Sequence, residues 1–295
     1  MLVGANLIVN DRTPSIIDIA VRAEERGIES IFQGEHTHTP VATVHPATPG
    51  GSLPDFYKRF PDVFVTLAAA AAVTSTIRLG TGVVLVAEHN PLILAKSVAS
   101  LDQLSGGRVE FGVGYGWNPL ELANNGIVWS ARRAVFAEKM AVIKRLWTEE
   151  VVAHEGTYVN FTESWLWPKP AQSPHPPILI GAAGNGATLR DVIDLAGAWY
   201  PLDSPELPAQ IATLAHMASD AGQALPAISV NLMAGQREGV EWYWKAVAAM
   251  DDLIAVGEHY RGLDVHRIVV GVPMDNLDDL TRALDSLAEL TVRFA

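Results

Sequence analysis

The stretch from Asn90 to Pro119, NPLILAKSVASLDQLSGGRVEFGVGYGWNP, contains a helix followed by a strand, with the boundaries of both legible. Asn90 is a strong N-cap type, and Pro91 suits the first helical position, where its missing N–H is no loss. Apolar residues then recur at helical spacing until Ser105-Gly106-Gly107, where glycine can take the left-handed conformation that ends a helix. Arg108 to Gly114 reads as a strand. Gly114 and Gly116 mark its far end, where bare backbone allows either close approach of a ligand or a tight turn. A dinucleotide-binding fingerprint would need a third glycine where this chain has Trp117, so that fold gains no support.

The same unit recurs in both directions. Leu2–Val9, Glu29–Gly34, Ile77–Val86, Pro176–Gly181, Ala196–Leu202, Pro226–Met233 and His266–Val272 are further apolar strand-like runs, separated by segments that can be helical. With Arg108–Gly114 they make eight β-α units. Near-continuous apolar strands belong to a parallel sheet covered on both faces, and eight units favour a closed (β/α)8 TIM barrel over an open doubly wound sheet. Two polar insertions interrupt the pattern, residues 35–58 after the second strand and 151–176 between the fourth and fifth units. Both are longer than ordinary connections and read as functional loops or disordered tails on the scaffold. No linker divides the chain, so residues 1–295 are expected to form one domain.

Composition narrows the function. The 295 residues are 49% hydrophobic and 18% charged, with a formal charge of −12. A chain this acidic, without a Lys/Arg cluster, is a poor match for nucleic acid. Its longest apolar run, Val63–Val73, is about half of the ~20 residues needed to span a membrane. The start, MLVGANLIVND, reads as a first strand rather than a signal peptide. There is no cysteine, which removes disulfides, thiolate metal sites and a cysteine nucleophile. No metal site is expected, a cytoplasmic location is, and a small molecule is the expected partner.

A second glycine cluster, ILIGAAGNGATLR (178–190), joins a strand end to a helix start. Free N–H groups and the positive end of the helix dipole suit such a turn to a phosphate, and late barrel strands often carry one there. The competing reading is a tight strand-to-helix turn.

Taken together, IRLGTGVVLV, NPLILAKSVASLDQLSGGRVEFGVGYGWNPLE and WPKPAQSPHPPILIGAAG resemble the bacterial luciferase-like superfamily of flavin and deazaflavin oxidoreductases, in order and spacing, from about Leu2 to Leu202. The form is most similar to members that use the deazaflavin coenzyme F-420. The resemblance implies a homodimeric barrel that holds this coenzyme at its C-terminal face and passes hydride to or from a small organic substrate. Two alternatives are a reduced-flavin (FMN) monooxygenase of the luciferase type and a non-catalytic flavin-binding protein.

Residue by residue, the resemblance places an acid-histidine pair, Glu35-His36, beside the coenzyme ring as the catalytic groups. An imidazole can donate or accept a proton near neutral pH, although a histidine that merely supports its loop is the rival reading. Gly82-Val83 falls where relatives bend the backbone behind the ring through a non-proline cis peptide bond; an ordinary bulge is the alternative. Gly114, Tyr115, Gly116 and Trp117 match the coenzyme-lining exit of the fourth strand, and Ala182, Ala183, Gly184 and Asn185 the phosphate turn. His38 matches less firmly; His45 and His89 read as loop or cap residues. Relatives that act on a sugar phosphate carry an acid where this chain has Trp117, which disfavours that substrate class. Trp165, Trp167, Trp199, Trp242 and Trp244 read mostly as core or loop-anchoring aromatics.

Overall fold

A computed structural model describes residues 1–45, 51, 53–232 and 250–295. Its strands are β1 (Leu2–Leu7), β2 (Ser30–Gln33), β3 (Arg78–Thr81), β4 (Val84–Leu85), β5 (Val109–Gly114), β6 (Val152–Glu155), β7 (Asn160–Ser164), β8 (Ile178–Ile180), β9 (Gly197–Trp199), β10 (Ala227–Leu232) and β11 (Arg267–Gly271). β1 lies between β2 and β11, and the order continues in parallel through β10, β9, β8 and β5 to β3, which returns to β2. β4 continues the line of β3 along β5. With β3 and β4 counted as one stave, this is a closed eight-stranded parallel barrel, as the sequence predicts.

The helices are α1 (Ile16–Glu25), α2 (Val63–Val73), α3 (Pro91–Ser105), α4 (Pro119–Asn124), α5 (Arg132–Thr148), α6 (Gly186–Asp191), α7 (Leu207–Asp220), α8 (Met250–Gly262) and α9 (Leu277–Phe294). α3 has the predicted ends: the Asn90 side chain accepts from the Leu92 and Ile93 N–H groups, Pro91 occupies the first turn, and Gly106 caps the exit at φ 69°. The main core fills the layer between strands and helices, through residues such as Val3, Leu7, Ile19, Leu67, Leu94, Phe136 and Leu284.

One insertion differs from expectation. Within residues 151–176, β6 and β7 pair as an antiparallel hairpin, where the sequence reads only as a long loop. Among the described residues, no helix is long and apolar enough to cross a membrane. None of their His, Asp or Glu side chains gather into a group able to hold a metal ion. Trp199 is buried, whereas Trp165 and Trp167 are exposed; Trp242 and Trp244 lie outside the described residues.

Candidate functional site

The C-terminal mouth of the barrel has an apolar floor centred on Val83. Gly82-Val83 is a cis peptide bond, as the resemblance implies. Three glycines make room for this segment. A Cβ on Gly112 would lie 1.9 Å from the Thr81 carbonyl oxygen, one on Gly114 2.8 Å from Val83 Cγ2, and one on Gly181 2.5 Å from Val83 Cγ1. Gly114 therefore serves close approach, but of Val83 rather than directly of a ligand. Beneath Val83 lies a separate cluster inside the barrel, formed by Phe32, Leu179, Ala198, Tyr200 and Val269. Phe32 and Tyr200 stack with centroids 5.0 Å apart. The Tyr200 hydroxyl is buried with no hydrogen-bond partner, and burial pushes its pKa up.

His36 stands at the rim, in a wall built by Thr43, His45, Tyr57 and Phe60 on one side and the exit of β5 on the other. Its Nδ1 lies 2.7 Å from Glu121 Oε2, and its Nε2 accepts from the Trp117 indole N–H at 3.2 Å. An indole can only donate, so Nε2 is the bare nitrogen and Nδ1 carries the proton toward the carboxylate. Glu121 sits in the first turn of α4, where Asn118 is the N-cap; the Asn118 amide also donates to Thr43 Oγ1 at 2.9 Å, pinning the insertion to the helix start. Tyr57, Phe60 and Trp117 surround the His36 ring at centroid distances of 5.2, 5.6 and 5.6 Å. His45, read from sequence as an ordinary loop residue, packs on Trp117 and lies 3.0 Å from the Tyr57 hydroxyl. Burial, with His36 nearby, lowers the His45 pKa, and burial pushes the Tyr57 hydroxyl up to about 12.

Glu35, expected beside His36 as the other catalytic group, is engaged elsewhere. Its carboxylate is buried, accepts from the Leu85 N–H at 3.0 Å, and lies 2.9 and 3.0 Å from His89 Nε2. It ties the end of β2 to the end of β4 and does not reach His36's ring. His89 is thus the partner of Glu35 rather than a simple cap. Glu88, beside it, is tied to Glu121 through the Asn125 amide, which donates to Glu88 Oε2 and to the Glu121 carbonyl; burial first, then the Glu121 and Glu35 carboxylates, push the Glu88 carboxyl up to about 9. The partner of His36 is Glu121, and neither Glu121 nor Glu88 is evident from the sequence motifs. Their one signal is a lone acid at the end of an apolar run (Glu88) and another in the first turn of a helix directly after the glycine exit (Glu121).

Tyr115, expected at the coenzyme-lining exit of β5, turns its side chain outward. Its hydroxyl donates to Asp191 Oδ2 at 2.6 Å, and its ring packs on Phe136 and beneath the Arg133 guanidinium. That side chain belongs to the layer between β5, α5 and α6, not to the mouth. Gly116 adopts φ 84°, and an added Cβ would meet Leu122, so its glycine is required by the turn. At the other glycine cluster, the Gly184 N–H donates to Gln210 Oε1 at 3.2 Å, and the Asn185 side chain caps α6 by accepting from the Thr188 N–H at 3.0 Å. Ala182 gives its carbonyl to the Trp199 indole, and Ala183 gives its carbonyl to the Asn185 N–H. The turn expected to cradle phosphate is therefore already occupied in part by the chain's own acceptors. Arg133, which pairs with Asp191 at 2.5 Å, brings a cation to this end of the site.

A closed parallel barrel with a proton-carrying histidine and an apolar platform at its C-terminal mouth has the layout of (β/α)8 enzymes. The family model for luciferase-like monooxygenases matches residues 4–267, and the chain belongs to that family. An uncharacterised protein of Mycobacterium tuberculosis is 45% identical over 199 residues, 66% of this chain and 70% of that one. The F420-dependent glucose-6-phosphate dehydrogenase of Kineococcus radiotolerans is 33% identical over 177 residues, 59% of this chain and 48% of that one. Among solved structures, a monooxygenase from Streptomyces bottropensis superposes with a TM-score of 0.81 at 26% identity, covering 100% of both chains. An F420-dependent secondary alcohol dehydrogenase in complex with an F420-acetone adduct shares the fold, with a TM-score of 0.74 at 16% identity, covering 98% of this chain and 97% of that one.

Proposed function

We propose that the chain is an oxidoreductase that moves hydride between coenzyme F-420 and a small organic substrate at the C-terminal mouth of the barrel. The observation that carries this reading is His36, whose Nδ1 is anchored on Glu121 while the bare Nε2 meets only a donor that a substrate hydroxyl can replace. When bound, the coenzyme supplies a ring that gives or takes two electrons as hydride. The apolar floor fits a flat ring: Gly82 and Val83 support its back, and the glycines under Val83 keep that floor low. Gly114, Gly116 and Trp117 flank it, and Ala182, Ala183, Gly184 and Asn185, with Arg133 near, lie toward its phosphate end.

The proton is handled by the chain. A substrate hydroxyl in the place of the Trp117 indole N–H gives its proton to Nε2 as hydride leaves the carbon, and the reverse step protonates the product oxygen. Glu121, at 2.7 Å from Nδ1, stabilises the imidazolium formed in between. Tyr57, Phe60 and Trp117 make the wall beside His36 aromatic, which suits an uncharged substrate over a sugar phosphate. The identity to an F420-dependent dehydrogenase supports the coenzyme assignment.

A second reading, a reduced-FMN monooxygenase, is favoured by the full-length similarity to a monooxygenase. Titrating the purified protein with F-420 and with FMN, each followed by quenching of coenzyme fluorescence, separates the two. Saturable quenching of F-420 at micromolar protein with none for FMN is the expected result; the opposite preference would sink the deazaflavin reading. Light scattering of the same sample checks the homodimer that belongs to this proposal.

A further inference from the structure

The groups behind His36 exceed what proton exchange at Nε2 requires. The Glu121 side chain is 0% exposed and gives Oε2 to His36 Nδ1. Among the described residues no donor group reaches its Oε1, and none reaches Glu88 Oε1; both atoms are buried. Yet the two side chains face each other within hydrogen-bonding reach, and the Asn125 amide ties them together, donating to Glu88 Oε2 at 3.2 Å and to the Glu121 carbonyl at 3.1 Å. Two ionised carboxylates are acceptors only and would leave both atoms unmet, whereas one proton between them satisfies both.

The surrounding groups say where the proton sits. Glu88 Oε2 accepts from the Asn125 amide at 3.2 Å, a bond open to a neutral acid. The Glu35 carboxylate adds a third acid and is itself taken by His89 and the Leu85 N–H. Lys139 is the nearby cation, but it donates to the carbonyls of Ala87 and His89, at 2.6 and 2.7 Å. Glu121 must accept at Oε2 from the Nδ1–H of His36, which leaves Glu88 as the donor between the two acids.

We propose that Glu88 and Glu121 share one proton, held on Glu88, and that the charged Glu121 locks His36 in its Nδ1–H tautomer, leaving Nε2 as the nitrogen that exchanges protons with substrate. Both acids are positioning residues. The shared proton and the tautomer stand on the unliganded protein; only the use of Nε2 rests on the function proposed above. The upward shift of the Glu88 carboxyl agrees with a proton retained through neutral pH.

The test uses the full chain without coenzyme, so a wrong coenzyme assignment leaves it unaffected. Infrared spectra of protein labelled with 13C at the glutamate carboxyl should contain a protonated-carboxyl C=O stretch at pH 7 that is lost in Glu88→Gln. Nitrogen-15 imidazole spectra, with the His36 signal assigned by its loss in His36→Gln, should place the proton on Nδ1 at pH 7. Glu88→Gln should leave that tautomer unchanged, because an amide donates to Glu121 Oε1 as the neutral acid does. Glu121→Leu should produce a mixture of tautomers. Absence of the C=O band, an Nε2–H signal in the native protein, or an unchanged tautomer in folded Glu121→Leu would overturn the proposal. If Glu121→Leu does not fold, the native spectra and Glu88→Gln still decide it.

Discussion

Both ring nitrogens of His36 are engaged, one by an acid and one by an indole, so truncating the ring removes a proton carrier and leaves the floor around Val83 in place. His36→Ala is expected to lower turnover by about 10²- to 10⁴-fold, the usual range for general acid-base catalysis, with coenzyme Kd changed only a few-fold. Steady-state kinetics beside a fluorescence titration separate the two effects. Loss of affinity equal to the loss of turnover would make His36 part of the binding wall only. Glu88 supports a second prediction, with a definite sign. Its carboxyl, ordinarily near 4.5, is pushed up to about 9, so the folded state holds a proton that the unfolded chain releases. The stability linked to that proton is full below about 4.5 and is lost progressively as pH rises toward about 9. Glu88→Gln has no such proton. Its Tm relative to the native protein should therefore rise between pH 5 and pH 9, a trend that thermal unfolding at several pH values will record. A constant gap would mean that Glu88 ionises normally.

At the scale of elements, the seat of Val83 couples three strands. A methyl added at Gly181 would approach Val83 Cγ1 to 2.5 Å, with the Tyr200 carbonyl and ring at 3.5 and 3.6 Å behind it, in close-packed surroundings that yield little. Gly181→Ala should cost about 1–3 kcal/mol, as overpacking does, and Val83→Ala in the same chain should recover much of it. Urea unfolding of the two single variants and the double variant measures this coupling; additive effects would mean that Val83 is not what Gly181 accommodates. The same region marks the limit of what the sequence discloses. Helix ends such as Asn90-Pro91 and Gly106 are legible because the groups that satisfy them lie within a few residues. Gly112, Gly114 and Gly181 are visible as glycines, but the side chain and carbonyl that require them come from a different strand. Glu35 and His36 read as a pair because the family resemblance places an acid-histidine pair at the end of the second strand. In the structure their side chains diverge, to His89 and the Leu85 N–H for one and to Glu121, 85 residues along the chain, for the other. The acid that meets the His36 ring is set by the fold and not by position in the sequence.

Across the whole molecule, the two ends of the barrel divide the work. The C-terminal mouth gathers His36, Trp117 and the acids behind them, while the N-terminal end is closed by ion pairs. Arg267 opens β11 there with its side chain 3% exposed, donating to Glu29 at 2.8 and 2.9 Å and to Glu110 at 2.5 and 2.7 Å. Arg78 holds the same Glu110 from β3 at 2.6 Å. Burial works to raise the Glu110 pKa, but the hydrogen bond and charge of Arg267, with Arg78, outweigh it and the net shift is downward. Glu110 therefore stabilises the fold above the ordinary carboxyl range, and that contribution is lost as pH falls through its depressed pKa. Removing one member of a buried ionic cluster leaves the others uncompensated, which typically costs about 3–5 kcal/mol. Arg267→Ala should lose stability of that order and should also lose the stabilising effect of the Glu110 charge near neutral pH, since Arg78 alone must then hold a buried carboxylate. The mouth is built from the opposite ends of the strands, so the fraction that remains folded should bind coenzyme with unchanged Kd. Urea unfolding and a fluorescence titration on one preparation test both halves of this expectation. A folded Arg267→Ala protein with weakened coenzyme binding would show that the ion cluster helps to shape the site and does more than close the barrel.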